Sequence, residues 1–180
     1  MKYLFFAFVL LSFFGCNTVD DEVELSPDGN DLEGFEETSA AGINFSYRIS
    51  GDSLHCYLIA NTEGWIAVGF NPSVQMKDAN FIIGYVEDDV VYIRDDWGTS
   101  SSQHQSDVSL GGADNVTVLG GSETGGITTI QFRIPLDSGD AYDRVLIAGN
   151  SYTIILAKGS GDSFGSYHST RGSTQINLQQ

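Results

Sequence analysis

Apolar and polar residues alternate in short runs along most of this chain. In residues 53–61, for example, Leu54, Cys56, Leu58 and Ala60 occupy every second position. A period of two is typical of a β-strand with one buried face, and no apolar period of 3.6 residues persists for three helical turns. The pattern predicts nine strands, over residues 43–49, 53–61, 64–70, 80–86, 89–95, 115–119, 127–134, 151–158 and 173–178.

Residues that favour turns separate the predicted strands. The chain contains 21 glycines, and tight turns often require the positive φ that glycine adopts most readily. Many short strands at regular spacing predict an all-β fold, an antiparallel β-sandwich of the immunoglobulin-like or jelly-roll type. Residues 97–114 lack such a pattern and are predicted to form a surface loop at one end of the sandwich, where binding functions concentrate.

The N-terminal residues follow a different pattern. An apolar run from Leu4 to Phe14 is too short to cross a bilayer as a helix but suits a secretory signal peptide, which is predicted over residues 1–15. Gly15 directly before Cys16 resembles a lipobox, in which the cysteine is lipidated and becomes the mature N-terminus. The prediction is a lipoprotein of the outer membrane or cell surface, and the alternative is an ordinary signal peptide that is cleaved elsewhere.

An acidic segment follows this cysteine. Residues 17–40 hold nine carboxylates and no Lys or Arg, so residues 16–41 are predicted to be a lipidated, disordered tether and residues 42–180 the folded domain. The formal net charge of the whole chain is −16. Nucleic acid is therefore a poor partner, because phosphate binding depends on clustered Lys and Arg. Membrane residence is expected to come from the lipid alone.

Two separated segments carry most of the chemical information. Residues 64–72 read Gly-Trp-Ile-Ala-Val-Gly-Phe-Asn-Pro and are followed by Met76, whereas residues 167–172 read Tyr-His-Ser-Thr-Arg-Gly. Between them stand Arg-Ile-Pro-Leu-Asp at residues 133–137 and Leu-Ala-Lys-Gly at residues 156–159. In this order the four segments resemble the DOMON domain, a β-sandwich module of dopamine β-monooxygenase-type proteins and of the cytochrome domain of cellobiose dehydrogenase.

The resemblance covers roughly residues 43–178 and implies a site. In haem-binding members, one Met and one His ligate a b-type haem, and Met76 and His168 stand at the matching positions. Two protein ligands leave no open position on the iron, so the implied role is single-electron transfer rather than catalysis by a self-sufficient enzyme. The chain has no Cys-x-x-Cys-His motif, so the haem would be bound non-covalently.

Further residues are candidates for contacts with this haem. Lys77 and Arg171 are candidate partners of the propionates, because charge-assisted hydrogen bonds suit carboxylates. The aromatic candidates for contacts with the ring are Trp65, Phe70, Phe81, Tyr85 and Tyr167. The implied partner is a redox protein or a dehydrogenase, and the acidic chain would attract a positively charged small redox protein.

Two other functions remain open. A haem-free binding module of the same fold would use the cleft for a carbohydrate or another small ligand, with Trp65, Trp97 and the tyrosines as stacking platforms. An accessory domain or subunit of a larger oxidoreductase is also compatible with haem binding.

The remaining reactive residues give weaker signals. A copper or zinc site built from His55, His104 and His168 has no supporting local spacing, and His55 and His104 are not expected to bind the haem. Cys56 is predicted to be a buried thiol. Residues 161–165 fit G-x-S-x-G, but a nucleophile elbow requires a helix directly after it, which the sequence does not predict.

Three aspartates near residue 140 also form a weak signal. Asp137, Asp140 and Asp143 could surround calcium, yet their spacing departs from the EF-hand loop. Roles in turns are predicted for them instead.

Overall fold

The computed structural model describes residues 32–179. The predicted signal peptide, Cys16 and the tether up to residue 31 lie outside the described residues, and within residues 32–179 no helix is long and apolar enough to cross a membrane. The described part contains eleven strands and one short helix. In chain order they are β1 (Glu36–Ala40), β2 (Ile43–Ser50), β3 (Ser53–Asn61), β4 (Ile66–Phe70), β5 (Asn80–Glu87), β6 (Val90–Ser100), β7 (Gln103–Ser106), α1 (Asp107–Leu110), β8 (Thr117–Thr124), β9 (Ile127–Pro135), β10 (Ser151–Lys158) and β11 (Thr170–Asn177).

The strands form two antiparallel sheets. The five-stranded sheet has the order β1-β2-β3-β9-β8, and the six-stranded sheet has the order β11-β10-β4-β5-β6-β7. The predicted all-β sandwich is confirmed, and each of the nine predicted strands overlaps an observed one.

The core lies between the sheets, and the alternation in the sequence explains which residues enter it. Along β3, Leu54, Cys56 and Leu58 are at most 2% exposed and face the other sheet. Phe70 on β4 is completely buried in the same core, where burial of a side chain of this size stabilises the fold by about 2 kcal/mol. Cys56 is a buried thiol as predicted, and burial raises its pKa well above the usual value.

The prediction of a loop over residues 97–114 is wrong for residues 97–110 and holds only for residues 111–114. Strand β6 continues to Ser100, the chain turns back as β7, and α1 follows directly. His104 on β7 pairs with Gly98 on β6. This hairpin projects polar side chains, so it lacks the alternation of apolar residues by which the other strands are predicted. Its backbone hydrogen bonds need no apolar side chains.

The predicted disordered tether is also wrong in its last part. Residues 36–40 form β1, which pairs with β2, although Glu36 and Glu37 are exposed. The hydroxyl of Thr38 is 3.0 Å from that of Thr174 on β11, so β1 also joins the edge of the other sheet. An exposed edge strand can carry charged side chains, and the charges therefore did not reveal it. The folded domain includes this strand.

Candidate functional site

A cavity of about 750 Å³ lies on the outer face of the six-stranded sheet. Strand pairing aligns five residues in a row across its floor: Arg171, Ala157, Ala67, Ile83 and Arg94. The side chains of the two alanines are short and leave space above the sheet. The two arginines are four strand spacings apart, or about 19 Å. The cavity therefore has an apolar centre with a cation at each end of this row.

A second row of paired residues crosses the floor beside the first. It consists of Ser173, Ile155, Gly69, Phe81 and Asp96. A side chain at Gly69 would meet the ring of Phe81 at 2.5 Å and Ile155 at 2.9 Å, so only glycine fits between them. Phe81 and Ile155 close over this position and line the cavity.

One wall of the cavity carries Met76. The residue lies in a tight turn in which the Lys77 amide donates to the Val74 carbonyl over 3.0 Å, and Gln75 adopts a φ of 55°. Few non-glycine residues adopt such a φ, so surrounding contacts must hold the turn. Gly98 supplies them, because its carbonyl accepts from the Asp78 amide over 2.7 Å and its Cα lies against the Met76 carbonyl with no room for a side chain.

The opposite wall is the segment of residues 159–169, which carries His168. The indole of Trp65 donates to the Ser166 hydroxyl over 2.8 Å, and the Gly159 amide donates to the Trp65 carbonyl over 2.8 Å. Phe164 packs against Tyr85, with 5.0 Å between the ring centroids. These contacts fix the segment against the sheet although it has no regular secondary structure.

Arg171 holds the imidazole of His168. Its Nη1 is 3.1 Å from Nε2 of the histidine. Because a guanidinium can only donate, Nε2 must accept this hydrogen bond with its lone pair. This nitrogen is therefore unprotonated, as a metal-ligating imidazole nitrogen must be, and its lone pair is directed at Arg171.

A second histidine reaches the cavity from strand β7. His104 lines it, and its Nδ1 contacts Oδ2 of Asp96, a fully buried carboxylate. Arg94 binds the same carboxylate through two hydrogen bonds of 2.5 and 2.6 Å. Burial alone would raise the pKa of Asp96, but hydrogen bonds from His104 and Arg94 outweigh it and hold this pKa below its usual value.

The cavity unites most, but not all, of the predicted site residues. Met76, His168, Arg171, Trp65 and Tyr167 line it, and Tyr167 is 90% exposed.

Three predicted site residues do not line the cavity, and one of them, Tyr85, packs against Tyr92 and Phe164 instead. Phe70 faces the inter-sheet core, because successive residues of β4 face opposite sides of the sheet and Phe70 shares the core side with Ile66 and Val68. Lys77 is exposed in the turn and does not line the cavity.

Sequence reasoning missed Arg94 and underrated His104. Arg94 and Asp96 are two positions apart on one strand and so share a face, which the sequence could have indicated. The partner of this pair, His104, could not be assigned without the hairpin of β6 and β7.

The structure does not form the histidine metal site or the nucleophile elbow that the sequence analysis considered. His55 lies on the five-stranded sheet, paired with Arg48 and Arg133, so the three histidines do not form one metal site. Residues 166–169 after the G-x-S-x-G sequence are not helical, as expected.

The two tryptophans differ in exposure. Trp65 is 4% exposed, and Arg144 lies over the ring of Trp97 at 5.1 Å. Trp65 therefore offers no free face for stacking against a sugar, and Arg144 covers one face of the half-buried Trp97.

A group of carboxylates lies at the other face of β6. One oxygen each of Asp95, Asp107 and Asp143 lies within 4.8 Å of the other two. Burial raises the pKa of Asp95 to about 9 and that of Asp107 to about 7, and repulsion from the neighbouring carboxylates adds to both shifts. Burial also raises the pKa of Asp143, against the hydrogen bond from Ser138. We call these three residues the acidic cluster.

Comparisons with known proteins agree with this architecture. The model of the DOMON domain family matches residues 39–159. The cytochrome b domain of pyranose dehydrogenase from Coprinopsis cinerea superposes with a TM-score of 0.61 at 18% identity, over 80% of this chain and 82% of that one. The cytochrome domain of Myriococcum thermophilum cellobiose dehydrogenase gives a TM-score of 0.61 at 12% identity, over 81% of this chain and 82% of that one. At these identities the structural matches establish a shared fold.

Proposed function

This chain belongs to the DOMON domain family, and from this premise we propose that its cavity binds a b-type haem and that the domain transfers single electrons. Met76 and His168 are the proposed axial ligands. The observation that carries the proposal is their position: they enter one cavity from two separate walls, the turn of residues 74–77 and the segment of residues 159–169.

The size and lining of the cavity support the proposal. Its volume of about 750 Å³ falls within the range of about 300–1,000 Å³ that is usual for cofactor sites. The floor is apolar at its centre, where Ala67, Ala157 and Phe81 lie, and cationic at Arg171, whereas Asp96 compensates the charge of Arg94. Such a surface suits a flat apolar ring with anionic substituents.

The donor atoms also fit an iron porphyrin. When bound, haem would supply a one-electron couple, and a thioether opposite an imidazole shifts such a couple to a higher potential. Nε2 of His168 is unprotonated, and its lone pair, which accepts a hydrogen bond from Arg171, would instead be donated to the iron. Ligation through this nitrogen would release the guanidinium of Arg171, which could then bind a propionate.

His104 is the rival ligand within the cavity. Its contact with Asp96 resembles the carboxylate–histidine pairs that orient metal ligands. However, His104 pairs with Gly98, which itself touches the Met76 backbone, so His104 and Met76 belong to the same wall. His168 lies on the other wall, so Met76 and His168 are the residues that would hold the iron from two walls of the cavity. We assign His104 to orienting Arg94 and Asp96.

Alanine variants test the ligand assignment. Purified protein is titrated with haem and followed by the Soret absorption. His168→Ala should lose most of the binding, since imidazole ligates both oxidation states well. Met76→Ala should keep haem with an altered spin state and a lower midpoint potential, because thioether favours ferrous iron.

His55→Ala is the matched control, since His55 lies on the other sheet and should not alter the spectrum. Loss of haem binding in His104→Ala but not in His168→Ala would refute the assignment while leaving the haem proposal intact. A wild-type protein that shows no Soret shift would refute haem binding, and a haem-free module for a carbohydrate or another small ligand would then take its place.

We further propose that the domain functions outside the cytoplasm, anchored through a lipidated Cys16 to the outer membrane or cell surface. The support is the sequence of residues 1–16 alone. Cys16→Ser should move the protein from the membrane fraction to the soluble fraction. Wild-type protein that is already soluble and begins at another residue would contradict the anchor. The proposed partner is a redox protein or a dehydrogenase, which co-purification would identify.

A further inference from the structure

We propose that the acidic cluster of Asp95, Asp107 and Asp143 is a calcium-binding site, separate from the cavity. The site lies where the middle of β6, the start of α1 and the segment after β9 meet. It does not depend on the proposed haem.

The orphaned oxygen atoms of the cluster point to a ligand. Asp107 is completely buried, and neither of its carboxylate oxygens has a hydrogen-bond partner. Asp95 is 1% exposed, and its Oδ1 also lacks a partner. A buried carboxylate without partners is costly, and proteins accept this cost chiefly where a cation compensates for it.

Neutral oxygen donors surround the carboxylates. Asn80 is 3% exposed and donates to Asp143 over 2.6 Å, while its own Oδ1 is buried without a partner. The amide of Asn115 donates to Asp95 over 3.1 Å, and the side-chain Oδ1 of Asn115 is likewise buried and unpaired. The site thus combines three carboxylates with two side-chain amides whose oxygens are not engaged elsewhere.

The spacing of the carboxylates fits calcium. Oxygen ligands lie about 2.3–2.6 Å from calcium, so ligands on opposite sides of the ion are about 5 Å apart. The three oxygens lie within 4.8 Å of one another and can therefore all contact one ion. Magnesium binds at about 2.0–2.1 Å and retains water, so a protein cage of this width suits it less well. A donor set of oxygens alone also disfavours zinc and copper.

The surrounding charges favour entry of a cation. The charged residues that act on the cluster are themselves acidic, namely Asp114, Asp140 and, for Asp107, Asp96. Asp114 is exposed and Asp140 is half-buried, so both extend the negative potential towards solvent. Such a field raises the local concentration of divalent cations.

Calcium at this site would stabilise one wall of the cavity. Asn80 begins β5 directly after the turn that carries Met76, and Asp107 directly follows β7, which carries His104. A single ion would therefore tie the two segments of one cavity wall to the loop that carries Asp143. The expected consequence is a higher thermal stability and a more rigid Met76 turn.

Calcium binding is tested directly on the purified protein, with and without haem. After removal of metals with a chelator, CaCl₂ alone should raise the thermal midpoint by several degrees, and MgCl₂ at the same concentration should raise it less. Terbium luminescence, excited through nearby aromatic residues such as Trp97, reports occupancy and should be displaced by calcium.

Asp107→Asn and Asp95→Asn should abolish the calcium response while the metal-free proteins stay folded, since asparagine matches the size of the buried carboxyl group and cannot ionise. Asp137→Asn is the control, because Asp137 is an exposed carboxylate of the same loop outside the cluster. Equal effects of calcium and magnesium, or a calcium response that survives in Asp107→Asn, would overturn the proposal. A wild-type protein whose thermal midpoint does not change with calcium would also overturn the proposal. The carboxyl groups would then be stabilised by bound protons.

Discussion

Asp95 and Asp96 are neighbours on β6, yet they face opposite sides of the sheet and opposite surroundings. Asp96 meets Arg94 and His104 beside the cavity, and its pKa lies below the usual value because hydrogen bonds from these residues outweigh burial. Asp95 meets Asp107 and Asp143, and burial together with these charges raises its pKa to about 9. Burial is almost the same for both. The neighbouring side chains, and not the degree of burial, decide whether the charge of a buried carboxylate is compensated within the protein or needs a ligand.

The same substitution at both positions should therefore have opposite effects. Asp96→Asn removes the partner of Arg94 and His104 and should lower the free energy of unfolding by about 2 kcal/mol, which is less than for a fully buried pair because Arg94 is a third exposed. Asp95→Asn should leave this free energy unchanged or raise it in the absence of calcium. Chemical denaturation in a chelating buffer measures both. Equal losses in the two variants would contradict the comparison.

Truncation should separate the cavity from the acidic cluster. Strand β1 contacts β11, which carries Arg171, whereas the cluster lies at the opposite edge of that sheet. A protein that begins at residue 42 should lose on the order of 1–2 kcal/mol, or about 5 °C in thermal midpoint, together with some haem affinity. Its terbium affinity should equal that of a protein beginning at residue 32. An unchanged midpoint would mean that β1 contributes no stability.

The fate of β1 illustrates what the sequence could predict. Strands with alternating apolar residues, such as β3 and β10, were predicted with their observed bounds. Strands β1 and β7 were not predicted, because polar edge strands depend on backbone pairing that leaves no apolar pattern.

The candidate site was likewise predicted only in part from the sequence. Family resemblance identified Met76 and His168, which line one cavity. Asp95, Asp107 and Asp143 are far apart in sequence, and only the packing of three segments brings them together. The network of Arg94, Asp96 and His104 likewise required the β6–β7 hairpin.

The pH dependence of stability should report on the acidic cluster. Burial raises the pKa values of Asp95 and Asp107 in the folded protein to about 9 and about 7, and the negative charges of Asp143, Asp114 and Asp140 add to these shifts. The folded state thus binds more protons than the unfolded state, and stability should fall as pH rises from about 4 to about 9. Thermal unfolding in a chelating buffer checks this trend.

Calcium should flatten this pH dependence, because the ion replaces the protons. A double variant, Asp95→Asn with Asp107→Asn, should flatten it without calcium. An equally steep fall in the double variant would assign the effect to other groups.

The smallest expected effect concerns the rim of the cavity. Arg171→Gln should weaken haem binding several-fold, because the guanidinium is a proposed propionate partner at the cavity. Lys77→Gln should leave it unchanged, because Lys77 is exposed and lies outside the cavity. Equal losses in both variants would point to long-range charge rather than contact.

The ligand pair itself is tested most directly by near-infrared magnetic circular dichroism of the ferric holoprotein. Charge-transfer bands in this region distinguish methionine–histidine from bis-histidine ligation of low-spin haem. Ligation by Met76 and His168 predicts the methionine–histidine band, which should disappear in Met76→Ala. A bis-histidine band in the wild type would contradict the assignment and identify His104 as a ligand in place of Met76.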